Sequence, residues 1–456
     1  MKFQKSMAAA LAAVMLAALG GCSSTKQEDG KTNVSIGRWP NETATETLKA
    51  YNKWKSDFET ENPDINLIPD TYAYDTKTFT MKASANQLPN VFNTYFTEVS
   101  QIIKQGYAAD ITKYMDEHHF TENMNPELLD AVKGEDGKIY GVPFYGYVQG
   151  LYMNKQIFRE AGLVNEDGSP KAPDTWEELA EYAKIIKDKT GKAGYVIPTI
   201  SNAGGWHFMN LAWSYGVEFE KQRDDGTWEA TFDTQETKDA LQFVKDLKWK
   251  YNVLLDDSAI SQDDMYKYFG SSQVAMMLQC PPYDGTNYGL DRKELALTKV
   301  PKGPKGRVAQ MGGDLWMFSK DSTPEQIEAG FKWLEFTGLT PIMSEEQEIK
   351  YREDTKTGAE NYVLIPREGM ELWTNETRDK IRVIREEYAN VDYNDYKTYF
   401  EADDVIVHVE VPACAQQLYA ILDSCIQEVI TNQNADVAAL ISQANTDFQV
   451  NHLDKM

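Results

Sequence analysis

Cysteine is scarce in this sequence, which has 456 residues and only four cysteines. Pro412 begins a segment with the apolar spacing of a helix, in which Cys414 and Cys425 fall on one face. Eleven residues of helix span about 16 Å, whereas a disulfide requires Cα atoms within about 7 Å of each other. These two cysteines therefore cannot pair with one another, and we expect both to be small core residues.

Histidines are few, and the familiar catalytic motifs are missing. The sequence has no phosphate loop, no Gly-x-Gly-x-x-Gly fingerprint and no Gly-x-Ser-x-Gly elbow. Its five histidines are scattered, and the adjacent His118 and His119 would point apart on a helix, which makes a poor metal pair. Paired acids such as Asp256 and Asp257 lack the spacing of a calcium loop. We expect no catalytic residues, no cofactor and no metal.

Basic residues are too few to balance the acids. The sequence has 46 Lys and Arg against 71 Asp and Glu, and its formal net charge is −25. Such a charge favours solubility and disfavours nucleic acid and anionic lipid as partners. It also disfavours an anionic ligand, although a local basic pocket would still accept one. A chain of this length is too long for a single hydrophobic core, so we expect two domains.

A long apolar run occurs only near the N-terminus, from Met7 to Leu19, and it is too short to remain as a membrane-spanning helix. Lys2 and Lys5 precede it, so residues 1–21 have the pattern of a signal peptide. Leu-Gly-Gly-Cys at 19–22 resembles a bacterial lipobox, which implies cleavage before Cys22 and its lipidation, with residues 22–32 as a polar tether. The alternative is an ordinary signal peptide with an incidental cysteine. Cleavage would change the net charge from −25 to −27.

The rest of the sequence alternates short β-rich runs with amphipathic helices, which is typical of an α/β protein. The predicted strands are 33–39, 65–68, 90–94, 138–143, 151–154, 271–278 and 310–318. The predicted helices include 41–60, one that begins at 174–176, 235–251 and 323–336, and residues 341–456 are predicted to be mostly helical. Thr175 and Glu178 have the spacing of a capping box. Residues 301–306, rich in Pro, Gly and Lys, are a candidate crossing between domains.

Three segments resemble the extracellular solute-binding proteins of bacterial ABC importers, in the branch similar to maltose-binding protein. The first has Gly-Lys-Ile-Tyr-Gly-Val-Pro at 137–143, Leu-Tyr-Met-Asn-Lys at 151–155 and Pro-Asp-Thr-Trp-Glu-Glu-Leu at 173–179. The second is a helix ending at Gly270, followed by Val-Ala-Met-Met at 274–277. The third has Val-Pro-Lys-Gly-Pro at 300–304, Gly-Gly-Asp at 312–314 and a helix from Pro324. Met153 is a departure, because the family often has an aromatic residue there.

The resemblance implies a two-lobed periplasmic-binding-protein fold of type II, with hinge-connected lobes and a ligand cleft between them. We expect residues 33–148 plus 307–340 to form lobe 1 and residues 149–306 plus 341–456 to form lobe 2. The implied function is that of a monomeric lipoprotein, anchored on the extracytoplasmic face of the cell membrane, which captures a neutral oligosaccharide and delivers it to an ABC permease.

Two alternatives stay open at this point. The same fold would also serve a peptide, a polyamine or a metal complex. A secreted glycoside hydrolase is the enzymatic alternative, and it would need two carboxyl groups flanking one bond.

Sugar clefts use aromatic rings to cover C–H faces and polar groups to pair hydroxyls. The aromatic residues predicted in loops or at crossings are therefore candidate ligand contacts: Trp39, Tyr95, Phe96, Tyr145, Tyr147, Trp206, Tyr283, Trp316 and Trp373. Arg38 and Asp314 are further candidates because they can grip vicinal hydroxyls, and Asn41 lies beside Arg38 in the sequence. For each of these residues the alternative is a core, surface or ion-pair role. Trp54, Trp176, Trp249 and Trp333 lie in predicted helices, and we expect them to fill the core or the surface rather than line the cleft.

Overall fold

The structure is a computed structural model that describes residues 30–367 and 369–456. Cys22, with the predicted signal peptide and most of the predicted tether, lies outside the described residues. Within the described ranges, no helix combines the length and low polarity that crossing a bilayer requires.

The described chain contains twelve strands. They are β1 Thr32–Ile36, β2 Ile65–Pro69, β3 Val91–Tyr95, β4 Gly141–Val148, β5 Gly150–Asn154, β6 Ala193–Tyr195, β7 Glu220–Gln222, β8 Trp228–Ala230, β9 Val274–Gln279, β10 Leu295–Thr298, β11 Arg307–Phe318 and β12 Val405–Val409. Each of the predicted strands overlaps one of these. The strands β6, β7, β8, β10 and β12 were not predicted.

The helices of the described ranges are mostly amphipathic and flank the strands. They are α1 Thr45–Glu61, α2 Phe79–Ser84, α3 Val99–Lys104, α4 Thr112–Glu117, α5 Phe120–Asn123, α6 Pro126–Asp130, α7 Lys155–Ala161, α8 Trp176–Thr190, α9 Ala203–Tyr215, α10 Gln235–Trp249, α11 Gln262–Gly270, α12 Pro324–Phe336, α13 Glu345–Asn361, α14 Glu376–Tyr388, α15 Lys397–Phe400, α16 Ala415–Thr431 and α17 Val437–Asn451.

The strands form two main sheets. A six-stranded sheet has the order β12-β11-β3-β1-β2, and β4 also pairs with β11. A four-stranded sheet has the order β10-β5-β9-β6, and β7 and β8 form a separate two-stranded ribbon. We call the elements packed on the six-stranded sheet the first lobe and those packed on the four-stranded sheet the second lobe.

Each sheet has its own hydrophobic core. Phe92, Phe318 and Phe331, all fully buried, belong to the core of the first lobe. Trp176 and Leu418 belong to one core of the second lobe, and a further cluster that includes Tyr152 and Phe269 packs around the same sheet. The chain is therefore a two-lobed α/β protein, as the resemblance implied.

The N-terminus of α8 forms part of the capping box that the sequence predicts. The Thr175 hydroxyl accepts a hydrogen bond from the Glu178 amide at 3.1 Å, as predicted. The Glu178 carboxylate accepts from the amide of Asp174 rather than of Thr175, so only half of the expected capping box forms. Trp176 is 2% exposed, and its indole N–H donates to the Ser214 hydroxyl at 2.9 Å. Trp176 is thus a core residue, as expected.

Three connections between the sheets run side by side, and we call them the three crossings. At the first, Gln149 separates β4 of the first lobe from β5 of the second. The second is β11 itself, whose Val308 packs in the second lobe and whose Leu315 packs in the first. At the third, Glu410 follows β12 and precedes α16. The backbone amide of Gln149 donates to the carbonyl of Gln310 in β11 at 3.0 Å, which joins the first two crossings.

The C-terminal region is mostly helical, as predicted, but it also contains a strand. Residues 405–409 form β12, which pairs in parallel with β11 from Arg307 to Met311, because alternating Val, Ile and His side chains suit a strand. Trp373 packs in the core of the first lobe, so residues 341–456 contribute to both lobes. The helix expected from Pro412 begins at Ala415, because Cys414 adopts a left-handed conformation with φ of 52°.

The cysteines fit the expectation drawn from their spacing. Cys280, Cys414 and Cys425 are free in the described chain. Cys425 is buried and Cys414 is half-buried, and both pack with the core of the second lobe.

Candidate functional site

A cavity of about 680 Å³ lies between the two lobes. Its first-lobe wall is formed by Tyr95, Thr97, Tyr145 and Tyr147, and Glu410 of the third crossing also lines it. Its second-lobe wall is formed by Ser201, Asn202, Ala203, Trp206, Gln262, Tyr266, Gln279, Cys280, Pro282, Tyr283, Asp284, Asn287, Tyr288, Gln416 and Tyr419. This volume is within the range of small-molecule sites.

Aromatic rings from both lobes meet in this cavity. Tyr145 and Tyr147 lie on the same side of β4, because they are two residues apart on a strand, and their ring centroids are 5.6 Å apart. Tyr147 packs edge to face against Trp206 of the second lobe at 5.9 Å. Tyr266 and Tyr283 form a second aromatic pair at 5.3 Å. The rings therefore provide apolar faces on both sides of the cleft.

A hydrogen bond also ties the lobes together beside the cavity. The Tyr145 hydroxyl donates to the carbonyl of Pro281, in the segment after β9, at 3.0 Å. On the opposite side of β4, Gly146 packs so closely that a Cβ atom there would lie 2.6 Å from the side chain of Leu128. β4 thus carries the tyrosines on one side and is held against the first lobe on the other.

Trp206 lies in the first turn of α9 rather than in the flexible loop that Ala-Gly-Gly at 203–205 suggested. The glycines serve helix packing, since a Cβ atom on Gly205 would lie 2.3 Å from the Tyr419 carbonyl oxygen of α16. The two helices approach closely there. This packing fixes the backbone that carries Trp206 toward the cavity.

The N-terminus of α9 borders the cavity but is already occupied by a carboxylate. Asp423 of α16 accepts from the amide of Asn202 at 2.7 Å and from that of Gly205 at 2.8 Å. Helix N-termini attract anions, and Asp423 satisfies this one from within the chain. Burial raises the pKa of Asp423, and these backbone hydrogen bonds oppose the rise. An anionic ligand would have to compete with this carboxylate.

The described residues that line the cavity include no Lys, Arg or His. Asp284 and Glu410 are its acidic residues. Asp284 already accepts hydrogen bonds from the Thr286 amide at 2.9 Å and the Val363 amide at 2.9 Å. Behind Trp206, burial lowers the pKa of His207 to about 3, so this imidazole is neutral. The cavity therefore suits a neutral ligand better than an anion.

Three side chains donate hydrogen bonds to the Glu410 carboxylate: two from helices of the second lobe and one from the second crossing. The Tyr419 hydroxyl donates to its Oε1 at 2.8 Å, and the Gln310 side-chain amide donates to the same oxygen at 3.2 Å. Trp206 also donates to the carboxylate. Burial raises the pKa of Glu410 to about 7, and the hydrogen bonds from Tyr419 and Trp206 oppose the rise.

The structure brings five of the twelve predicted contact residues together at the cavity. They are Tyr95, Tyr145, Tyr147, Trp206 and Tyr283. Tyr283 is only 5% exposed, and its hydroxyl donates to the Tyr266 carbonyl at 2.8 Å, so it mainly supports the wall. The other seven candidates do not line the cavity: Arg38, Trp39, Asn41, Phe96, Asp314, Trp316 and Trp373.

The two buried tryptophans among those seven require a correction. Trp39 and Trp373 are 4% and 3% exposed in the core of the first lobe. Trp39 stacks on Trp333 at 5.7 Å, and Trp373 packs edge to face on Phe120 at 5.5 Å. Both were assigned to loops that the cleft would reach, but each ring turns inward, where burial of its large apolar surface is favourable.

The remaining five candidates make other contacts. Arg38 lies over the ring of Phe144 at 5.5 Å, and Trp316 packs against the same ring at 5.2 Å. Asn41 is exposed and accepts a hydrogen bond from the amide of Thr43 at 3.0 Å. Phe96 packs with the first-lobe core and Asp314 is half-buried. Burial raises the pKa of Asp314, and the positive charge of Arg38 opposes the rise.

Sequence reasoning missed the polar residues of the cavity. These are Thr97, Ser201, Asn202, Gln262, Gln279, Asp284, Asn287, Glu410 and Gln416. Gln279 ends β9, a predicted strand, and polar residues at strand ends are a signal that could have indicated it. Glu410 directly follows β12, which was not predicted, so this signal was missing for Glu410.

Known proteins resemble this chain over most of its length. A binding protein of Brucella abortus (strain 2308) is 24% identical over 354 residues, which make up 71% of this chain and 80% of that protein. The arabinooligosaccharide-binding protein of Halalkalibacterium halodurans is 24% identical over 288 residues, 61% of each chain. An ABC substrate-binding protein from Listeria monocytogenes, solved in complex with cycloalternan, has a TM-score of 0.65 and 20% identity, covering 92% of this chain and 98% of that one.

The structural likeness agrees with the two-lobed architecture and with a cleft between the lobes. The family model of the bacterial extracellular solute-binding proteins matches residues 53–353. That match covers well over half of the chain and the cavity lining apart from Glu410, Gln416 and Tyr419. The chain belongs to the bacterial extracellular solute-binding proteins.

Proposed function

We propose that this protein captures a neutral oligosaccharide in the cavity between its lobes and delivers it to an ABC permease without changing it chemically. The observation that carries this proposal is the lining of the cavity. Aromatic rings from both lobes face a space that, among the described residues, has amides, hydroxyls and two acids but no cationic side chain. Rings cover the C–H faces of sugars, and amides and hydroxyls pair their rims.

The known relatives support the ligand class. One is named for binding arabino-oligosaccharides, and one structural neighbour was solved with cycloalternan. Several rings in one cavity suit several sugar units better than a single unit, since one monosaccharide needs only one or two rings. The Asp423 carboxylate at the N-terminus of α9 supports neutrality, because it occupies the place that an anionic group would take.

The arrangement of acids supports binding rather than hydrolysis. A glycosidase needs two carboxyl groups on either side of one bond. Within the described lining, the acids are Asp284 and Glu410. Asp284 is held by the amides of Thr286 and Val363, and Glu410 accepts from Tyr419 and Gln310. Both carboxyls therefore have structural partners.

We further propose that the lobes close on the ligand by bending at the three crossings. The moving bodies would be residues 33–148 plus 307–340 and residues 149–306 plus 341–456. Strand β12 and the stretch around Trp373 belong to the second body by sequence but pack on the first. Closure would bring the tyrosines of β4 and the polar wall of the second lobe onto opposite faces of the sugar.

The place of action that we propose is the outer face of the cell membrane. Diacylglyceryl modification of Cys22 would anchor the mature chain, with no other membrane contact and no nucleic-acid partner. We propose that the protein acts as a monomer and presents its closed lobes to the permease. Its acidic surface fits a basic patch on that partner.

Equilibrium binding to a panel of ligands tests the ligand class. Calorimetry should detect binding of at least one neutral oligosaccharide among arabino-, malto- and raffinose-type sugars. The same panel should include spermidine and a short peptide, and tight binding of either without any sugar would refute the proposal. Incubation with each sugar should release no new reducing ends, whereas their appearance would indicate a hydrolase.

A further inference from the structure

A relay of hydrogen bonds runs through all three crossings and ends in the cavity. The Asn210 side-chain amide donates to Gln149 Oε1 at 2.9 Å. Gln149 Nε2 donates to Gln310 Oε1 at 3.3 Å, and Gln310 Nε2 donates to Glu410 Oε1 at 3.2 Å. Each amide thus uses its oxygen toward one neighbour and its nitrogen toward the next. The relay has a single direction, and the Glu410 carboxylate is its terminal acceptor.

The relay is closed to water except at that end. Gln149, Gln310 and Asn210 are 1%, 0% and 0% exposed. The backbone amide of Gln310 also donates to Asn210 Oδ1 at 2.8 Å, which pins the relay to α9. Buried polar groups cost free energy when they lose their partners. The dihedral angles of the crossings therefore cannot change without altering hydrogen bonds that lead to Glu410.

Glu410 has room for one more donor. A carboxylate offers roughly four acceptor positions, and Tyr419, Gln310 and Trp206 occupy three of them. Its Oε2 lies beside Gly312, where a Cβ atom would be 2.8 Å from it and 2.3 Å from the Tyr147 hydroxyl. Gly312 thus lets Tyr147 and the carboxylate pack against β11, and Glu410 lines the cavity.

We propose that Glu410 couples the ligand to the hinge, by accepting a hydrogen bond from a ligand hydroxyl while it terminates the relay through the three crossings. The proposal rests on the proposed function for the identity of the ligand. It makes Glu410 a specificity-determining residue, since only a ligand with a hydrogen-bond donor at this position fills the remaining acceptor position of the carboxylate. A sugar that lacks that hydroxyl leaves the relay in its ligand-free arrangement.

The charge state of Glu410 controls this coupling. A protonated carboxyl turns one acceptor into a donor, which opposes the donors already present on Tyr419, Gln310 and Trp206. Since the pKa of Glu410 is raised to about 7, the accepting form is lost as the pH falls from 8 to 6. If only that form binds, the apparent dissociation constant rises by about tenfold over this interval.

Other titratable groups that act on this carboxyl, or ionise in the same interval, must be separated from it. Tyr419, Tyr147 and Cys280 face it, and burial raises the pKa of each, so they stay neutral between pH 6 and 8. Glu98 of the first lobe also interacts with Glu410, and burial raises its pKa as well. Glu220 accepts a hydrogen bond from the amide of Ala413, near the start of α16, and burial raises the pKa of Glu220 to about 8. Glu220 does not line the cavity and serves as the control, whereas replacement of Glu98 would itself lower the pKa of Glu410.

The experiment measures the dissociation constants of arabinotriose, maltotriose and raffinose between pH 5.5 and 8.5. The parent, Glu410→Gln and the control Glu220→Gln are compared. We expect the parent and the control to bind about tenfold more weakly at pH 6 than at pH 8, and Glu410→Gln to bind weakly with no pH dependence. A pH slope retained in Glu410→Gln, or absent from the parent, would overturn the proposal.

A second variant tests the connection to the hinge away from the cavity. Gln149→Met removes the middle of the relay, and Gln149 does not line the cavity. We expect a smaller change in the radius of gyration on ligand addition and weaker binding than in the parent. Unchanged affinity and closure would contradict the coupling.

Failure of the proposed function would look different from failure of the coupling. If none of the probes binds the parent, the oligosaccharide assignment fails. The coupling is then tested by small-angle scattering from the ligand-free protein. It predicts that the radius of gyration changes between pH 6 and 8 in the parent but not in Glu410→Gln, and an identical response in both proteins would overturn it.

Discussion

Tyr147 of the first lobe and Trp206 of the second meet edge to face, with their ring centroids 5.9 Å apart. Trp206 also donates to Glu410. This pair is therefore both a contact between the lobes and a part of the cavity wall. The two lobes therefore meet through side chains that a ligand can reach.

Replacement of Trp206 by alanine should weaken binding of a neutral oligosaccharide by about tenfold, or about 1.4 kcal/mol. The change removes a half-buried ring from the cavity together with a donor to Glu410. The matched control is Trp316→Ala, which removes a half-buried tryptophan that packs on Phe144 outside the cavity. Titration calorimetry should show an unchanged dissociation constant for the control. Equal losses in both variants would contradict the assignment of the wall.

Replacement of Trp176 by alanine should lower stability instead of affinity. The ring is 2% exposed, and its indole N–H donates to Ser214. Removing a buried tryptophan costs about 3–5 kcal/mol. Urea denaturation should show that loss, while the folded fraction binds its ligand like the parent. Trp39→Ala should behave in the same way, because Trp39 is a core residue of the first lobe.

These two classes of tryptophan show how far the sequence could be interpreted. Helical periodicity placed Trp176 in the core correctly, since the ring lies in an apolar stripe that the helix must bury. Trp39 and Trp373 have no such periodic context, and whether a loop ring turns inward depends on distant partners such as Trp333 and Phe120. The two-lobed α/β fold followed from motif order and alternation, which are properties of the whole chain.

Trp206 and Glu410 illustrate the limits for the site. Gly204 and Gly205 suggested a loop, but their function is to let α9 approach α16, a contact between residues more than 200 positions apart. Glu410 was one acid among 71 in the sequence. Only the pairing of β12 with β11 brings it beside Gln310 at the cavity. Long-range pairing of this kind leaves no local signature.

Ligand addition should make the molecule more compact. The lobes are joined by crossings whose polar side chains Gln149 and Gln310 are buried, and bending there moves whole lobes with little repacking inside them. Small-angle scattering at saturating oligosaccharide should give a smaller radius of gyration than without it. A non-binding sugar at the same concentration is the control, and an unchanged radius with bound ligand would count against a hinged receptor.

Cys22→Ala should release the protein from the membrane or leave it unprocessed, because one thiol would carry the whole lipid anchor. The measurement is the distribution of the protein between the membrane fraction and the medium. Cys280→Ala is a suitable control, since that cysteine is buried beside the cavity and has no role in anchoring. A Cys22→Ala protein that is cleaved yet still membrane-bound would end the lipoprotein proposal.

Glu220 should make the protein less stable as the pH rises. One of its oxygens accepts from the amide of Ala413 at 2.7 Å, and the other is buried without a partner. Burial raises the pKa of Glu220 to about 8 from an ordinary value of 4.5. Between these two values the folded chain keeps a proton that the unfolded chain has released. The free energy of unfolding therefore falls as the pH rises through this window, and the fall stops above pH 8.

Glu220→Gln should remove that slope, because the amide stays neutral and can still accept from Ala413. The variant should match the parent near pH 4.5 and exceed it at pH 8.5, because only the parent then buries a charged carboxylate with a partnerless oxygen. Glu218→Gln is the matched control, since Glu218 is exposed two residues away, and it should follow the parent at both values. Denaturation curves at the two pH values measure the difference. If the free energies of unfolding of Glu220→Gln and the parent differ by the same amount at both pH values, the carboxyl is ionised in the folded protein at both. Its buried oxygen would then have a partner.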